Sequence, residues 1–423
     1  MGFIKRPGAA LGILTGLNVL NYIDRYVAAA VLPLIIADLK ISDAQAGSLQ
    51  SVFIFVYAFA CPVMGWLGDR GRRLPLAAVG VLIFCLATFG SGTATTFAWL
   101  LAARSLVGIG EASYAIVTPS LISDLYPADR RSRALAIFYT AIPVGSALSY
   151  MISGAIGARF GWRAAFFATG GPGVLLALSL LALAEPPRGR FDPPRAAGAD
   201  VPLSIGTSLR ALWARPSFVI NTVAQTIYTF SMGGLAGWIP TYFVRERGLS
   251  LERATFLFGL CLVLAGFFGT LLGGQVGDRL AKKSPMAPFV ASGVALLMSF
   301  PFVLIGVLAA QPAIFWPGMF LALLLLFFNT GPLNAAMTNV LPGTLRARGF
   351  AVYSFSIHVL GDGPSPIVIG LVSTAIGLRV PVLVAGGLLF VSGLVLLAGR
   401  RTLPHDLIAA SPSPSPAPAA AVS

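Results

Sequence analysis

Apolar residues fill this chain in long runs rather than in alternation. Stretches close to the roughly 20 residues that a helix needs to cross a hydrocarbon layer recur at 9–36, 45–67, 75–95, 97–124, 132–158, 163–184, 216–243, 251–277, 286–309, 312–339, 348–376 and 380–399. Membrane β-strands would instead alternate in segments of about ten residues. The pattern predicts an all-α polytopic membrane protein with twelve transmembrane helices.

Two short polar patterns interrupt the runs twice each. Gly65-Trp-Leu-Gly68-Asp69-Arg70-Gly71-Arg72-Arg73 follows the second run, and Gly274-Gln-Val-Gly277-Asp278-Arg279-Leu-Ala-Lys282-Lys283 follows the eighth, about 209 residues later. Pro127-x-x-x-Arg131-x-Arg133 follows the fourth run and Pro342-x-x-x-Arg346-x-Arg348 the tenth, at an offset of 215. Two matches at nearly one offset mark a duplicated six-helix unit, the parallel-repeat arrangement of many transporters. The expected organisation is an N-terminal six-helix bundle over 1–184, a cytoplasmic linker over 185–215, a C-terminal bundle over 216–400 and a disordered cytoplasmic tail over 401–423. The linker is rich in Pro, Gly and Arg, with Ser208–Trp213 as a candidate interfacial helix. The tail ends in SPSPSPAPAAAVS, a low-complexity sequence.

Composition agrees with the pattern: 57% of residues are hydrophobic and 10% charged, with a mean hydropathy of +0.85. The net charge of +14 does not call for nucleic acid, because 20 of the 29 Lys and Arg fall in alternate loops on one side, seven on the other, and two inside helices. That bias places both termini in the cytoplasm and fits a bacterial inner membrane, with attraction to anionic membrane lipids as a secondary effect. Cys61, Cys85 and Cys261 all fall within predicted spans and read as packing residues rather than a metal or disulfide set. The first run is too long for a signal-peptide core, so no cleaved leader is expected.

The candidate chemistry lies where charge enters the apolar runs, since ionisable groups at membrane depth are costly and usually functional. The fourth run carries Arg104 and Glu111, nearly two helical turns apart on one face, with Gly108 and Gly110 between them allowing close approach of another helix. The first carries Asn21-Tyr-Ile-Asp24-Arg25-Tyr26. Asp24 and Arg25 point about 100° apart, so at least one needs a partner elsewhere, and the bland alternative is a structural ion pair. Counting 1.5 Å per residue from Phe97 places Glu111 about 21 Å deep, near the level of Asp24. In the second half Asn221, Gln225, Tyr228 and Asn329 are polar groups expected to line a cavity or bond another helix. His358 and Asp362, four residues apart among glycines and prolines, read as a hydrogen-bonded hinge pair and not as a metal site.

The paired G-x-x-G-D-R loops resemble the signature loop of the major facilitator superfamily. NYIDRY at 21–26, RSLVGIGEASYAIVTPSLISDLY at 104–126, RSRALAIFYTAIPVGSALSY at 131–150 and HVLGDGPSP at 358–366 resemble its spinster family, whose members include lysolipid and sphingosine-1-phosphate transporters. The resemblance implies two bundles around a central cavity, alternating access, and an amphiphilic lysolipid or sphingoid-type substrate, with exporters of drugs or organic anions as the alternative. It implies that Asp24 and Glu111 couple transport to protons and that Arg25 and Arg104 meet an anionic or zwitterionic head group. Tyr114, Asn221, Gln225, Tyr228, Asn329 and His358 complete the expected substrate set. Asp69, Arg70, Arg73, Arg131, Arg133, Asp278, Arg279 and Asp362 are the expected gating residues. No cofactor, metal or catalytic residue is expected, and a monomer is expected to function. The chain contains no G-x-S-x-G, H-E-x-x-H or G-K-[ST], so nothing points to a lipid hydrolase, a metalloprotease or an ATP-driven pump.

Overall fold

The computed structural model describes residues 6–191 and 204–410, and among them only helices, turns and one isolated bridge occur. The first span is a bent pair, Pro7–Ala30 continued by Leu32–Leu39 at 50°. Pro33 stands at the start of the second piece, where its ring and missing N–H break the helical ladder. Spans 2 to 6 are Asp43–Arg70, Arg73–Gly92, Phe97–Leu125, Asp129–Phe160 and Trp162–Leu181. Spans 7 to 12 are Pro216–Arg247, Leu251–Ala281, Ala287–Leu308, Pro312–Val340, Leu345–Ile376 and Arg379–Gly399. Among the described residues ten helices are long and apolar enough to cross a membrane, and the bent pair counted as one span makes an eleventh. Pro216–Arg247, 32 residues long, is the twelfth span; Asn221, Gln225 and their polar neighbours hold its hydropathy down.

Local chemistry sets the boundaries. Ser42 and Gln45 form a reciprocal capping box that starts span 2. Thr96 and Ser250 accept from the first turns of spans 4 and 8. The turn after the fifth span of each half is made by a glycine in the positive-φ region, Gly161 at 84° and Gly377 at 81°. These two stand 216 residues apart, close to the repeat offset seen in the Pro-x-x-x-Arg-x-Arg pair. The fifth spans also share a π-helical turn, Ser149–Ser153 in span 5 and Ile357–Asp362 in span 11. In span 11 this is where the glycines and prolines of HVLGDGPSP predicted a bend.

The end of the bundle opposite the termini, termed the outer end after the orientation that the loop charges predict, is sealed. A Cβ on Gly47 of span 2 would run into the backbone of Pro366 of span 11, and one on Gly370 would run into that of Asp43. Asp43 also pairs with Arg245 of span 7 at 2.7 Å and accepts from Ser373 at 2.6 Å. Arg159 of span 5 pairs with Glu252 of span 8 at 2.9 Å, and Tyr150 donates to the carbonyl of Ala236. One apolar cluster runs through both halves at this level, from Val27–Ile35 and Trp162 to Trp238 and Phe243. The inner part of the N-terminal half has a separate core around Leu14, Phe84, Tyr114 and Leu121.

Two expectations about the connecting segments change. Residues 402–410 of the tail form a helix, Thr402–Ala410, because Leu403 has an apolar seat and Asp406 accepts from the free backbone N–H of Ser217 at the start of span 7. Low complexity begins only at Ser411, which lies outside the described residues. The short linker helix spans Ile205–Trp213, capped by Ser204, and residues 192–203 of the linker also lie outside the described set.

Candidate functional site

The first span presents two chemical faces a residue apart. Arg25 turns toward span 2, where its guanidinium lies 4.9 Å from the centre of the Tyr57 ring, 5.2 Å from Phe53 and 5.1 Å from Tyr22. It donates twice to one oxygen of Glu111, at 2.8 and 3.1 Å, and keeps 14% of its side chain exposed while Glu111 is fully buried. Asn21, one turn earlier, lies near the same carboxylate, but its amide nitrogen and the second Glu111 oxygen are both left without a hydrogen bond. Asp24 points the other way, into the interior of the N-terminal bundle. It is fully buried and neither of its oxygens makes a hydrogen bond. Around it stand the hydroxyls of Thr88 in span 3 and Thr169 in span 6 and the charge of Arg104. The sequence required one of Asp24 and Arg25 to find a distant partner; Arg25 does, and Asp24 is left with none.

Arg104 does not pair with Glu111, although both face span 1. Its guanidinium donates to the backbone carbonyls of Asp24 at 3.2 Å and Arg25 at 3.3 Å and lies 4.9 Å from the Phe53 ring, and the residue is fully buried. It holds the charged stretch of span 1 by its backbone and has no open face in this state. Gly108 and Gly110 act as their spacing suggested: a Cβ at either would lie 2.6 Å from a carbonyl oxygen, that of Phe53 in span 2 or Gly80 in span 3. Tyr114, expected in the substrate set, is fully buried and donates to the carbonyl of Leu14. It ties span 4 to span 1 because a tyrosine in a packed interior must spend its hydroxyl on a partner.

The C-terminal half supplies neutral polar groups. Asn221 and Gln225 are buried on one face of span 7, each with its amide oxygen unpartnered. Tyr228 donates to the carbonyl of Leu326 at 3.2 Å beside Asn329, whose amide bonds the same carbonyl at 2.6 Å. His358 bonds both oxygens of Asp362, at 3.0 and 3.1 Å, across the π-helical turn of span 11. The His358 ring also meets Tyr57 of span 2 edge-on, 5.6 Å between centres. Tyr57 therefore touches Arg25 on one side and the opposite half on the other.

At the inner end, Asp69, Arg70, Asp278, Arg279 and Arg133 are exposed and Arg131 is half-buried. Arg70 lies over the ring of Trp66. Arg73, one of the expected gating residues, is a buried tie: it pairs with Asp124 at 2.6 Å, and its backbone N–H donates to Glu185 at 2.7 Å. Arg188 of the linker donates to the carbonyls of Gly68, Asp69 and Gly71, and Gly189 N–H donates to Asp124. The linker's first residues are thus fastened to the end of span 2, where a positive group suits the carbonyls of a helix C-terminus. Spacing assigns no pairing to Asp124, Glu185 and Arg188, because their partners lie at the ends of other spans. The aromatic box of Tyr22, Phe53 and Tyr57 was half visible, since Tyr22 lies three residues before Arg25. Among the described residues no group of three or more His, Cys, Asp or Glu is arranged to hold a metal.

Residues 14–364 match the family model described as Major Facilitator Superfamily. Protein spinster homolog 1 of Homo sapiens is 36% identical over 386 residues, which cover 87% of this chain and 73% of that protein. The sphingosine-1-phosphate transporter SPNS2 of Danio rerio is 33% identical over 390 residues, 88% of this chain and 77% of its own length. Among solved structures, a bacterial homologue of the human lysosomal transporter spinster, inward-facing and unoccupied, superposes with a TM-score of 0.87. That likeness covers 97% of this chain and 99% of the other at 24% identity. A D-xylose-proton symporter shares the fold at a TM-score of 0.70 and 16% identity, over 92% of this chain and 97% of its own.

Proposed function

The chain belongs to the spinster family of the major facilitator superfamily, and from that premise we propose that it carries an amphiphilic lysolipid or sphingoid-type molecule by alternating access, coupled to protons. It is a transporter and not an enzyme, as its relatives and fold are. The observation that carries the finer reading is the Arg25–Glu111 pair: a guanidinium with one exposed edge, bonded to a buried carboxylate with a second oxygen unsatisfied. A phosphate or carboxylate head that approaches the exposed edge competes with Glu111 for the same donors. Asp24, Glu111, Arg25 and Arg104 sum to zero charge when all four are ionised. Arrival of an anionic head adds one negative charge, and a proton taken up by a carboxyl of this set restores the balance. Asn221, Gln225 and Asn329 offer hydrogen-bond partners from the other half, and His358 and Asp362 face the head-group site across Tyr57.

The sealed outer end corresponds to the phase in which substrate exchanges at the inner end. In the opposite phase, Asp69 and Asp278 receive the hydrogen bonds of helix N-termini and arginines that close the inner end. Transport by purified protein in liposomes tests the substrate class. Uptake of a labelled lysophosphatidate or sphingosine 1-phosphate, accelerated by a pH gradient, is expected. Movement of a hydrophobic cation or a tail-free organic anion in their place overturns the lipid reading.

The loop bias of Lys and Arg supports a cytoplasmic position for both termini and the linker, and a bacterial inner membrane and a monomer as the working unit complete the proposal. Cysteines introduced at Gly189 or Ala410 are expected to resist an impermeant maleimide applied to intact cells and to react once the membrane is opened. Labelling of either from outside reverses the orientation.

A further inference from the structure

Tyr57 lies at the junction of the charged site and a cavity that the head-group chemistry leaves unused. The cavity, about 290 Å³, runs between spans 2 and 11 and is lined by Tyr57, Cys61, Gly65, Ile116, Ala351 and His358 among others. Beyond Tyr57 and His358 its walls are apolar except for the Ser354 hydroxyl and the Cys61 thiol. From Tyr57 to Gly65 it follows about 12 Å of helix. Phe59 and Phe355, one from each half, meet edge-on beside it with 5.7 Å between ring centres. They are 58% and 42% exposed, so the cleft is bordered by the surface that hydrocarbon covers in the membrane.

We propose that this cleft holds the hydrocarbon chain of the transported amphiphile while its anionic head is on Arg25, and that it is the chain-specificity element of the transporter. The inference rests on the lysolipid reading above. Three features carry it together. The cleft begins at the ring that stacks under the Arg25 guanidinium, so head and chain sites are continuous. Between Tyr57 and His358 at one end and Gly65 at the other its lining is mainly apolar, with Ser354 as the one hydroxyl along the way, so a hydrocarbon chain suits it better than a second charged group, which would lack a counter-charge there. Its two walls belong to different halves, so a chain lying in it is gripped by span 2 and span 11 at once. The seal between these same spans, Gly47 against Pro366, lies farther toward the outer end. Rocking of the halves about that seal alters the width of the cleft, which links occupancy by a chain to the conformational cycle.

Cys61 provides a probe that needs no disruptive substitution. In a Cys85→Ala, Cys261→Ser background, an 18-carbon lysophosphatidate is expected to slow alkylation of Cys61 by a maleimide at least tenfold, and glycerol 3-phosphate at the same concentration is expected not to. Alkylation with a bulky maleimide, or Ala351→Phe with its melting temperature checked, is expected to cut lysophosphatidate transport at least tenfold. Transport that proceeds at the unmodified rate through protein fully alkylated at Cys61, with no protection of the thiol, overturns the cleft while leaving the lysolipid reading in place. Absence of lysolipid transport by the unmodified protein, with no protection, overturns both.

Discussion

Proteoliposomes carrying Glu111→Gln or Asp24→Asn are expected to take up lysolipid at one rate whether or not a pH gradient is imposed, where the parent protein is accelerated by the gradient. Either carboxyl, once an amide, can neither gain nor release a proton. The two substitutions differ in what else they disturb. Glu111 is bonded to Arg25 through two N–H donors, so its amide leaves a mostly buried guanidinium without a counter-charge, and breaking such a pair costs roughly 3–5 kcal/mol. Asp24 makes no side-chain ion pair or geometric hydrogen bond, so Asp24→Asn is expected to lower the melting temperature less than Glu111→Gln does. Loss of gradient response in a well-folded Asp24→Asn protein therefore separates coupling from folding. A full response in folded samples of both variants rejects these carboxyls as the coupling groups.

Arg25→Ala is expected to lower lysolipid transport by two orders of magnitude or more, because two charge-assisted hydrogen bonds to the head, each worth about 1.5–3 kcal/mol, are lost together. It also leaves the Glu111 carboxylate buried and alone, at a cost of roughly 3–5 kcal/mol in stability. Arg25→Ala combined with Glu111→Gln removes both charges, and is expected to recover melting temperature without recovering transport. Arg25→Lys keeps the charge but loses the planar fork and the stacking on Tyr57, so its fold is expected to hold while transport falls. Transport by the double variant equal to that of the parent shows that the head is bound elsewhere.

Much of this arrangement was legible in the chain, for reasons that differ from residue to residue. The spans were legible because hydrocarbon imposes one length and one composition on them, and even the polar span 7 ran far enough to be seen. The duplication was legible because each half needs the same short polar loops, and the glycines at 161 and 377 extend it into the outer turns. Charge at depth marked Asp24, Arg25, Arg104 and Glu111 because such groups are too costly to be incidental.

What spacing did not disclose is which helix each group faces. Arg104 and Glu111 share a face, yet Arg104 spends its donors on backbone carbonyls of span 1 while Glu111 meets a side chain there. That division follows from the relative height of two helices, which no single run encodes. Tyr114 looked like a site residue for its position in the motif, and packing turned it into a tie to Leu14. Arg73 looked like one more loop arginine, and the partners that bury it, Asp124 and Glu185, come from two other segments. The tail helix was masked by the low-complexity sequence that follows it, since its reason for folding, the free N–H groups at the start of span 7, lies 189 residues away.

In the proposed cycle an anionic head displaces Glu111 from Arg25 and a proton moves with it. The most direct test is the internal pH of proteoliposomes loaded with a pH-sensitive dye, followed while lysophosphatidate is added with no gradient imposed and corrected by protein-free vesicles. Internal pH is expected to change in step with lysolipid movement through the parent protein and to stay constant through Glu111→Gln. Lysolipid movement through the parent protein with no accompanying change in internal pH contradicts the account.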